Sequence, residues 1–319
     1  MVSADFAPRR DLPIRNAPID VYPLRGLGGR TPAAPGWFRS AVETPFEPLE
    51  CTVGGVTIEG RAWGARGKPG VILLHGNAAH HGWWSFLAPL LADHYRVATL
   101  SFSGMGESGW RSSYAISDYS AELWAMAAVS GVGDAGPPVL VGHSVGGFPV
   151  LLSAASGSAQ MRAGVLVDSA LPGARVHAVP PLRPHRHYPD LESALGRFRL
   201  SPDQPCANPW IADYLARMGL KETPEHEWTW RFDRKIWGGT DVGDPWRWLR
   251  EARAPLAVLR GALSPLTKGE NADRMRREAP AGTIFVDIPQ AYHHVMVDQP
   301  LALIAALRVL LATWLPQAA

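Results

Sequence analysis

Cysteine is nearly missing from this sequence: among 319 residues only Cys51 and Cys206 occur, far apart and with no Cys-x-x-Cys or Cys/His spacing. A disulfide scaffold and a zinc finger are therefore excluded, and a reducing compartment is expected. An excess of charge is missing as well. The 31 Lys+Arg and 29 Asp+Glu leave a formal charge of +2, with no Lys/Arg block, so nucleic acid is not an expected partner. No uncharged apolar run reaches the roughly 18 residues that a membrane span needs. The opening Met1-Val2-Ser3-Ala4-Asp5-Phe6 also lacks the apolar core of a signal peptide. A soluble, cytoplasmic chain is expected, with a small-molecule substrate as partner and no membrane or nucleic-acid partner; its oligomeric state is left open.

What is present is an ordinary globular composition, 46% hydrophobic and 19% charged, which excludes disorder as the main state. Residues 1–48 are rich in Pro, Arg and Gly without a helical or strand period and predict an extended arm. A hairpin follows around Gly54-Gly55. Then short apolar runs alternate with helix-length stretches: Gly70 to Leu74, Trp83 to Asp93, Val97 to Leu100, Ser117 to Ser130, Pro138 to Gly142, Ser144 to Ser156, and Ala163 to Asp168. Such alternation signals βαβ units, and strands that are apolar throughout belong to a parallel sheet covered on both faces. The alternation stops over 172–253, a Pro-, Arg-, His- and Trp-rich segment that predicts an inserted helical cap. It resumes with Leu256 to Arg260, a helix near Glu270, a strand Thr283 to Ile288 and an apolar helix Pro300 to Trp314. The fold class is α/β with a mostly parallel, doubly wound sheet; 49–171 and 254–319 form its core.

Gly142-His143-Ser144-Val145-Gly146 falls directly after an apolar strand and before a helix, the context of a nucleophile elbow. A serine on so cramped a turn needs small neighbours two positions to either side. The same turn leaves the Val145 amide at a helix N-terminus, where it can stabilise a developing anion. A serine hydroxyl is a weak nucleophile, so it also needs an imidazole to take its proton and an acid to orient that imidazole.

With these residues the chain resembles the α/β-hydrolase superfamily over roughly 50–319. Beyond the elbow the resemblance rests on His75-Gly76-Asn77, Ser103-Gly104-Met105-Gly106-Glu107-Ser108 and Tyr292-His293-His294-Val295-Met296-Val297-Asp298, in that order. It implies an α/β-hydrolase fold with a cap, no cofactor, and an oxyanion hole from the amides of Asn77 and Val145. It places the base in the loop after the last strand, where His293 matches better than the alternative His294. His75, His80, His81 and His143 are read as structural, and no metal site is expected.

The acid is harder to place. The family commonly puts it two or three positions past a Gly after the strand Leu256 to Arg260, and there this chain has Ser264. Asp168, at the end of the preceding strand, is the better candidate, because ligands in open α/β sheets gather at the carboxyl ends of strands. Glu270 is the runner-up, and Asp298 is read as a cap of the last helix. Trp83, Trp84, Trp228 and Trp237 are candidate walls of an apolar pocket. The resulting reading is a cofactor-independent serine hydrolase of an ester or lactone of a mainly apolar small molecule. The alternatives are a C–C bond hydrolase or perhydrolase on the same residues, or a non-catalytic receptor, which the serine at 264 keeps open.

Overall fold

The computed structural model describes residues 21–157, 159–171, 185–237 and 240–315. Eight strands form one sheet: β1 (Glu47–Val53), β2 (Val56–Trp63), β3 (Gly70–Leu74), β4 (Arg96–Leu100), β5 (Val139–His143), β6 (Ala163–Val167), β7 (Leu256–Gly261) and β8 (Ile284–Ile288). Their spatial order is β1-β2-β4-β3-β5-β6-β7-β8. β1 pairs antiparallel with β2 and β2 with β4, and every later pairing is parallel. The glycines of the β1–β2 turn, Gly54 and Gly55, both have positive φ (56° and 77°), the geometry of a tight two-residue hairpin.

Side-chain alternation divides the core into two layers. Along β3, Val71 and Leu73 pack with Trp84, Phe86, Leu303 and Leu307 on one face, and Ile72 and Leu74 pack with Leu123, Met126 and Val150 on the other. The principal helices are α1 (Gly36–Glu43), α2 (Ile116–Ser130), α3 (Gly147–Ala155), α4 (Pro209–Gly219), α5 (Pro245–Glu251), α6 (Glu270–Glu278) and α7 (Pro300–Trp314). The helix α2 starts where the Asp118 carboxylate accepts from the Ala115 amide at 3.0 Å. It ends at Gly131 in the left-handed conformation, φ 72°, so both termini follow capping chemistry. Among the described residues no helix is long and apolar enough to cross a membrane.

Three expectations need correction. The arm is not extended in its described part: α1 forms between Pro35 and Thr44, and β1 begins inside it at Glu47. Phe38 is buried, its ring 5.5 Å from Phe86 and 5.7 Å from Tyr214; the flanking prolines bound a helix whose Phe38 and Ala41 share one face. Residues 1–20 lie outside the described residues. The helix expected from Trp83 to Asp93 is split into Gly82–Ser85 and a 3₁₀ turn Ala88–Leu90, because Pro89 has no amide hydrogen to continue it. The segment 172–253 is not only helical, and 172–184 lie outside the described residues. It contains α4, an antiparallel pair of Leu220–Glu222 with Trp228–Trp230, and a short parallel pairing of Thr240–Asp241 with Tyr114–Ala115. Its last helix, α5, buries Trp246 and Leu249 in the core layer that includes α3.

Candidate active site

Ser144 follows β5 and precedes α3, and its φ is 52°. A non-glycine residue in that region costs about 1–3 kcal/mol and persists only where its surroundings enforce it. The enforcing contacts are tight. A Cβ on Gly142 would lie 2.1 Å from the Gly146 carbonyl oxygen, and one on Gly146 would lie 2.4 Å from that of His75. Only glycine fits at both positions: Gly142 lies against the backbone of the turn itself and Gly146 against that of Leu74 and His75.

His293 and Asp168, the candidate base and acid, meet as a buried pair. Asp168 stands just past β6 with φ 46° and no exposed surface, and its Oδ2 accepts from His293 Nδ1 at 2.7 Å. The same oxygen accepts from Ser264 Oγ at 2.6 Å. Its Oδ1 accepts from Thr267 Oγ1 at 2.6 Å and from the Gly261 amide at 2.9 Å. Four donors therefore converge on one carboxylate, which a buried ionised group requires. Ser264, at the position where an acid is customary, is one of them. Its part and that of Thr267 were not anticipated; the signal was the pair of hydroxyl residues following Gly261.

Asn77 and Val145 line the same cavity as Ser144. Val145 is in the first turn of the helical segment, where backbone N–H groups lack intrahelical acceptors. Gly76 brings the Asn77 loop against the serine, since a Cβ there would lie 3.0 Å from Ser144 Cβ. His75 fixes that loop from beneath: its Nδ1 donates to the Gly76 carbonyl at 2.7 Å and its Nε2 accepts from the Phe102 amide at 3.0 Å. Burial lowers the pKa of His75 to about 3, so the ring stays neutral and structural.

His294 does not share the acid. Its Nε2 lies 3.1 Å from the Ser201 carbonyl, to which it donates, and its amide donates to Gln204 Oε1 at 3.0 Å. His143 donates from Nε2 to the His293 carbonyl at 3.0 Å. Burial first, and then the neighbouring His293, hold the pKa of both His143 and His294 well below the usual imidazole value. Asp298 accepts from the Tyr292 amide at 2.7 Å and from Gln204 Nε2 at 2.9 and 3.0 Å. It thus ties the histidine loop to the inserted segment rather than capping α7. Burial pushes its pKa up to about 7.

A cavity of about 320 Å³ opens over Ser144, lined also by His293, Trp83, Trp237, Leu266 and Pro202. Of the four candidate tryptophans, Trp83 and Trp237 line it. Trp84 is fully buried in the core, and Trp228, half-buried in the hairpin of the inserted segment, does not line the cavity. Both departures follow from tryptophan's large apolar surface, which packs into cores as readily as into ligand walls. Glu270, the alternative acid, is not brought to His293: it opens α6, its side chain is 80% exposed, and it pairs with Arg277 at 2.7 Å. An acid at the first turn of a helix complements the helix dipole.

A profile of the Alpha/beta hydrolase family matches residues 71–307. The chain is similar to esterase Rv0045c of Mycobacterium tuberculosis strain H37Rv, 24% identical over 291 residues that span 86% of this chain and 93% of that protein. It is also similar to lipase LipV of the same organism, 35% identical over 119 residues, 37% of this chain and 44% of that one. Among solved structures, the thioesterase domain from the curacin biosynthetic pathway superposes with a TM-score of 0.69 at 22% identity, covering 83% of this chain and 100% of that domain. At that identity the likeness concerns the fold alone.

Proposed function

The chain belongs to the alpha/beta hydrolase family, and from that premise we propose that this hydrolase cleaves an ester or lactone of a small, mainly apolar molecule through an acyl-enzyme on Ser144. The observation that carries the reading is the buried 2.7 Å contact of His293 Nδ1 with Asp168, set beside a serine on a strained elbow at a cavity. In the first half-reaction Ser144 Oγ bonds to the carbonyl carbon while its proton passes to His293 Nε2. Asp168 accepts from Nδ1–H, so that Nε2 carries the lone pair. The amides of Asn77 and Val145 receive the oxyanion. The intermediate collapses, the C–O bond of the ester breaks, and the alcohol leaves with the proton from His293. Water then attacks the acyl carbon with His293 again as base, and Ser144 is released. The balance needs no cofactor.

The inserted segment serves as the cap, since Ser201, Pro202 and Trp237 all line the cavity from it. A volume of about 320 Å³ is at the small end of the range for small-molecule pockets, which favours short acyl chains. The receptor alternative rested on a missing acid; a carboxylate bonded to His293 takes away its support.

A graded series of p-nitrophenyl esters tests the reading. Turnover is expected to peak at short acyl chains and to vanish in Ser144→Ala, with a fluorophosphonate labelling the wild type and not the variant. Labelling that survives in Ser144→Ala would overturn it.

A further inference from the structure

His293 stands between β8 and the short helix Val295–Asp298, so its backbone lies outside any strand or helix. Side chains fix it instead. The amide of Tyr292, one residue before it, donates to Asp298 Oδ2 at 2.7 Å, and its own carbonyl accepts from His143 Nε2 at 3.0 Å. The amide of His294, one residue after it, donates to Gln204 Oε1 at 3.0 Å. Gln204 acts twice, because its Nε2 also donates to both oxygens of Asp298, at 2.9 and 3.0 Å. A backbone N–H can only donate, so Oε1 must face His294 and the NH₂ must face the carboxyl. Gln204 is 3% exposed, unusual for a glutamine, and both polar ends of its side chain go to the histidine loop. It belongs to the inserted segment, two residues past Pro202, which lines the cavity together with Ser201. The Ser201 carbonyl also accepts from His294 Nε2 at 3.1 Å, and Asn208 Nδ2 donates to the Val297 carbonyl at 2.7 Å. One stretch of the cap, 201–208, therefore both walls the cavity and holds the loop that carries His293.

We propose that Gln204 is a positioning residue for His293: it pins the peptide after the base directly and the peptide before it through Asp298, so that the cap sets where the imidazole stands over Ser144. The 2.7 Å contact with Asp168 fixes only one point of the ring, Nδ1. The direction from that point to Nε2 depends on where the backbone of residue 293 holds Cβ. A misplacement of about 1 Å costs about a hundredfold in rate.

The effect on turnover rests on the proposed hydrolase reading, whereas the placement of the ring does not, so the two are measured apart in the full chain. Gln204→Met keeps length and bulk and removes both polar ends. It should lower kcat for a short p-nitrophenyl ester by about tenfold to a hundredfold. KM should stay within about threefold, because Gln204 does not line the cavity. The ring nitrogens of His293, read by long-range proton–nitrogen NMR and assigned by their disappearance in His293→Ala, should change from a single Nδ1–H tautomer to a mixture. The exchange Gln204→Glu/Asp298→Asn preserves the contacts with one reversed: Asn Oδ1 accepts from the Tyr292 amide, its NH₂ donates to the Glu, and the Glu accepts from the His294 amide. It should hold kcat within about threefold of wild type and keep the single tautomer. A folded Gln204→Met that retains either wild-type kcat or the single tautomer overturns the proposal, as does a loss confined to KM. If Gln204→Met does not fold, the exchange variant decides, and a folded exchange variant with kcat down more than about tenfold overturns it. A wild type without turnover refutes the hydrolase reading; the tautomer change in Gln204→Met then upholds the placement of the ring by itself, and its absence overturns it.

Discussion

Replacing Asp168 with Asn changes one atom of the side chain and reverses the direction of two hydrogen bonds, those from His293 and Ser264. Oδ1 accepts from the Gly261 amide at 2.9 Å and from Thr267 Oγ1 at 2.6 Å, so the Asn carbonyl must take that side, where an NH₂ would face an N–H. The NH₂ is then turned to His293 Nδ1, which sits at 2.7 Å in the wild type. Nδ1 has to become an acceptor, the ring proton moves to Nε2, and the proton acceptor for Ser144 is lost. In a serine triad that tautomer error costs about 10⁴ in kcat, equivalent to about 5.5 kcal/mol in the barrier. The fold should lose less. Ser264 Oγ, at 2.6 Å from Oδ2, rotates to accept from the new NH₂, leaving about 1–3 kcal/mol for the weakened buried network. Asp168 is fully buried and does not line the cavity, so KM should stay within a few-fold. Steady-state hydrolysis of a short p-nitrophenyl ester, read beside a denaturant titration of the same sample, separates the two losses. A folded variant that keeps kcat within tenfold of wild type would refute Asp168 as the group orienting His293.

The remaining predictions concern the same neighbourhood. Because Ser264 Oγ lies 2.6 Å from the acid, the double variant Asp168→Ser/Ser264→Asp should regain at least tenfold of the kcat lost in Asp168→Ser alone; no recovery in a folded double variant would show that the two positions are not equivalent. The Asp298 carboxyl, pushed up to about 7 by burial, holds its proton in the folded chain over a range where the unfolded chain, near pKa 3.9, has released it. Stability is therefore lost as pH rises from about 4 to 7. Asp298→Asn should gain about 2–3 kcal/mol relative to wild type between pH 5 and pH 8 in urea titrations, and a difference independent of pH would count against the buried acid. Gly146→Ala puts a methyl 2.4 Å from the His75 carbonyl oxygen. It should cost about 1–3 kcal/mol with at least a tenfold loss of turnover, so a wild-type melting curve would contradict the close approach.

The positions of the strands and of most helices along the chain were legible because they depend on periodicity. Runs such as Val71 to Leu74 and Val139 to Val141 are apolar at every position, and a strand buried on both faces needs that. Ser144 was legible because its turn demands glycine on either side, a steric rule that survives in the sequence. What was not legible depends on contacts distant in the chain. Nothing near Gly36 announces that Phe38 will meet Phe86 and Tyr214; that contact supports α1, and the prolines around it suggested an extended segment. Trp228 and Trp237 look alike in composition, yet only the second reaches the cavity. His143 and His294 were told apart from His293 only by chain position. Their actual separation comes from which carbonyl each donates to.

The displaced acid has a geometric explanation. β6 and β7 are neighbours in register, Val167 opposite Leu259, so the residue just past β6 and the loop just past β7 arrive at the same carboxyl end of the sheet. A histidine loop approaching from beyond β8 can therefore meet a carboxylate from either strand. In this chain Asp168 supplies the carboxylate and Ser264 supplies a hydroxyl that donates to it, and an exchange of those two chemistries would leave one acid and one donor in place. The choice has a local cost, because Asp168 at the end of β6 must adopt φ 46° to turn its side chain under His293. Four hydrogen bonds hold it there against that strain. What the reaction requires is a carboxylate at one point in space, and two strand ends can deliver it. A serine in the customary position of the acid is thus weak evidence against catalysis whenever an aspartate ends the adjacent strand and hydroxyl residues follow the next one.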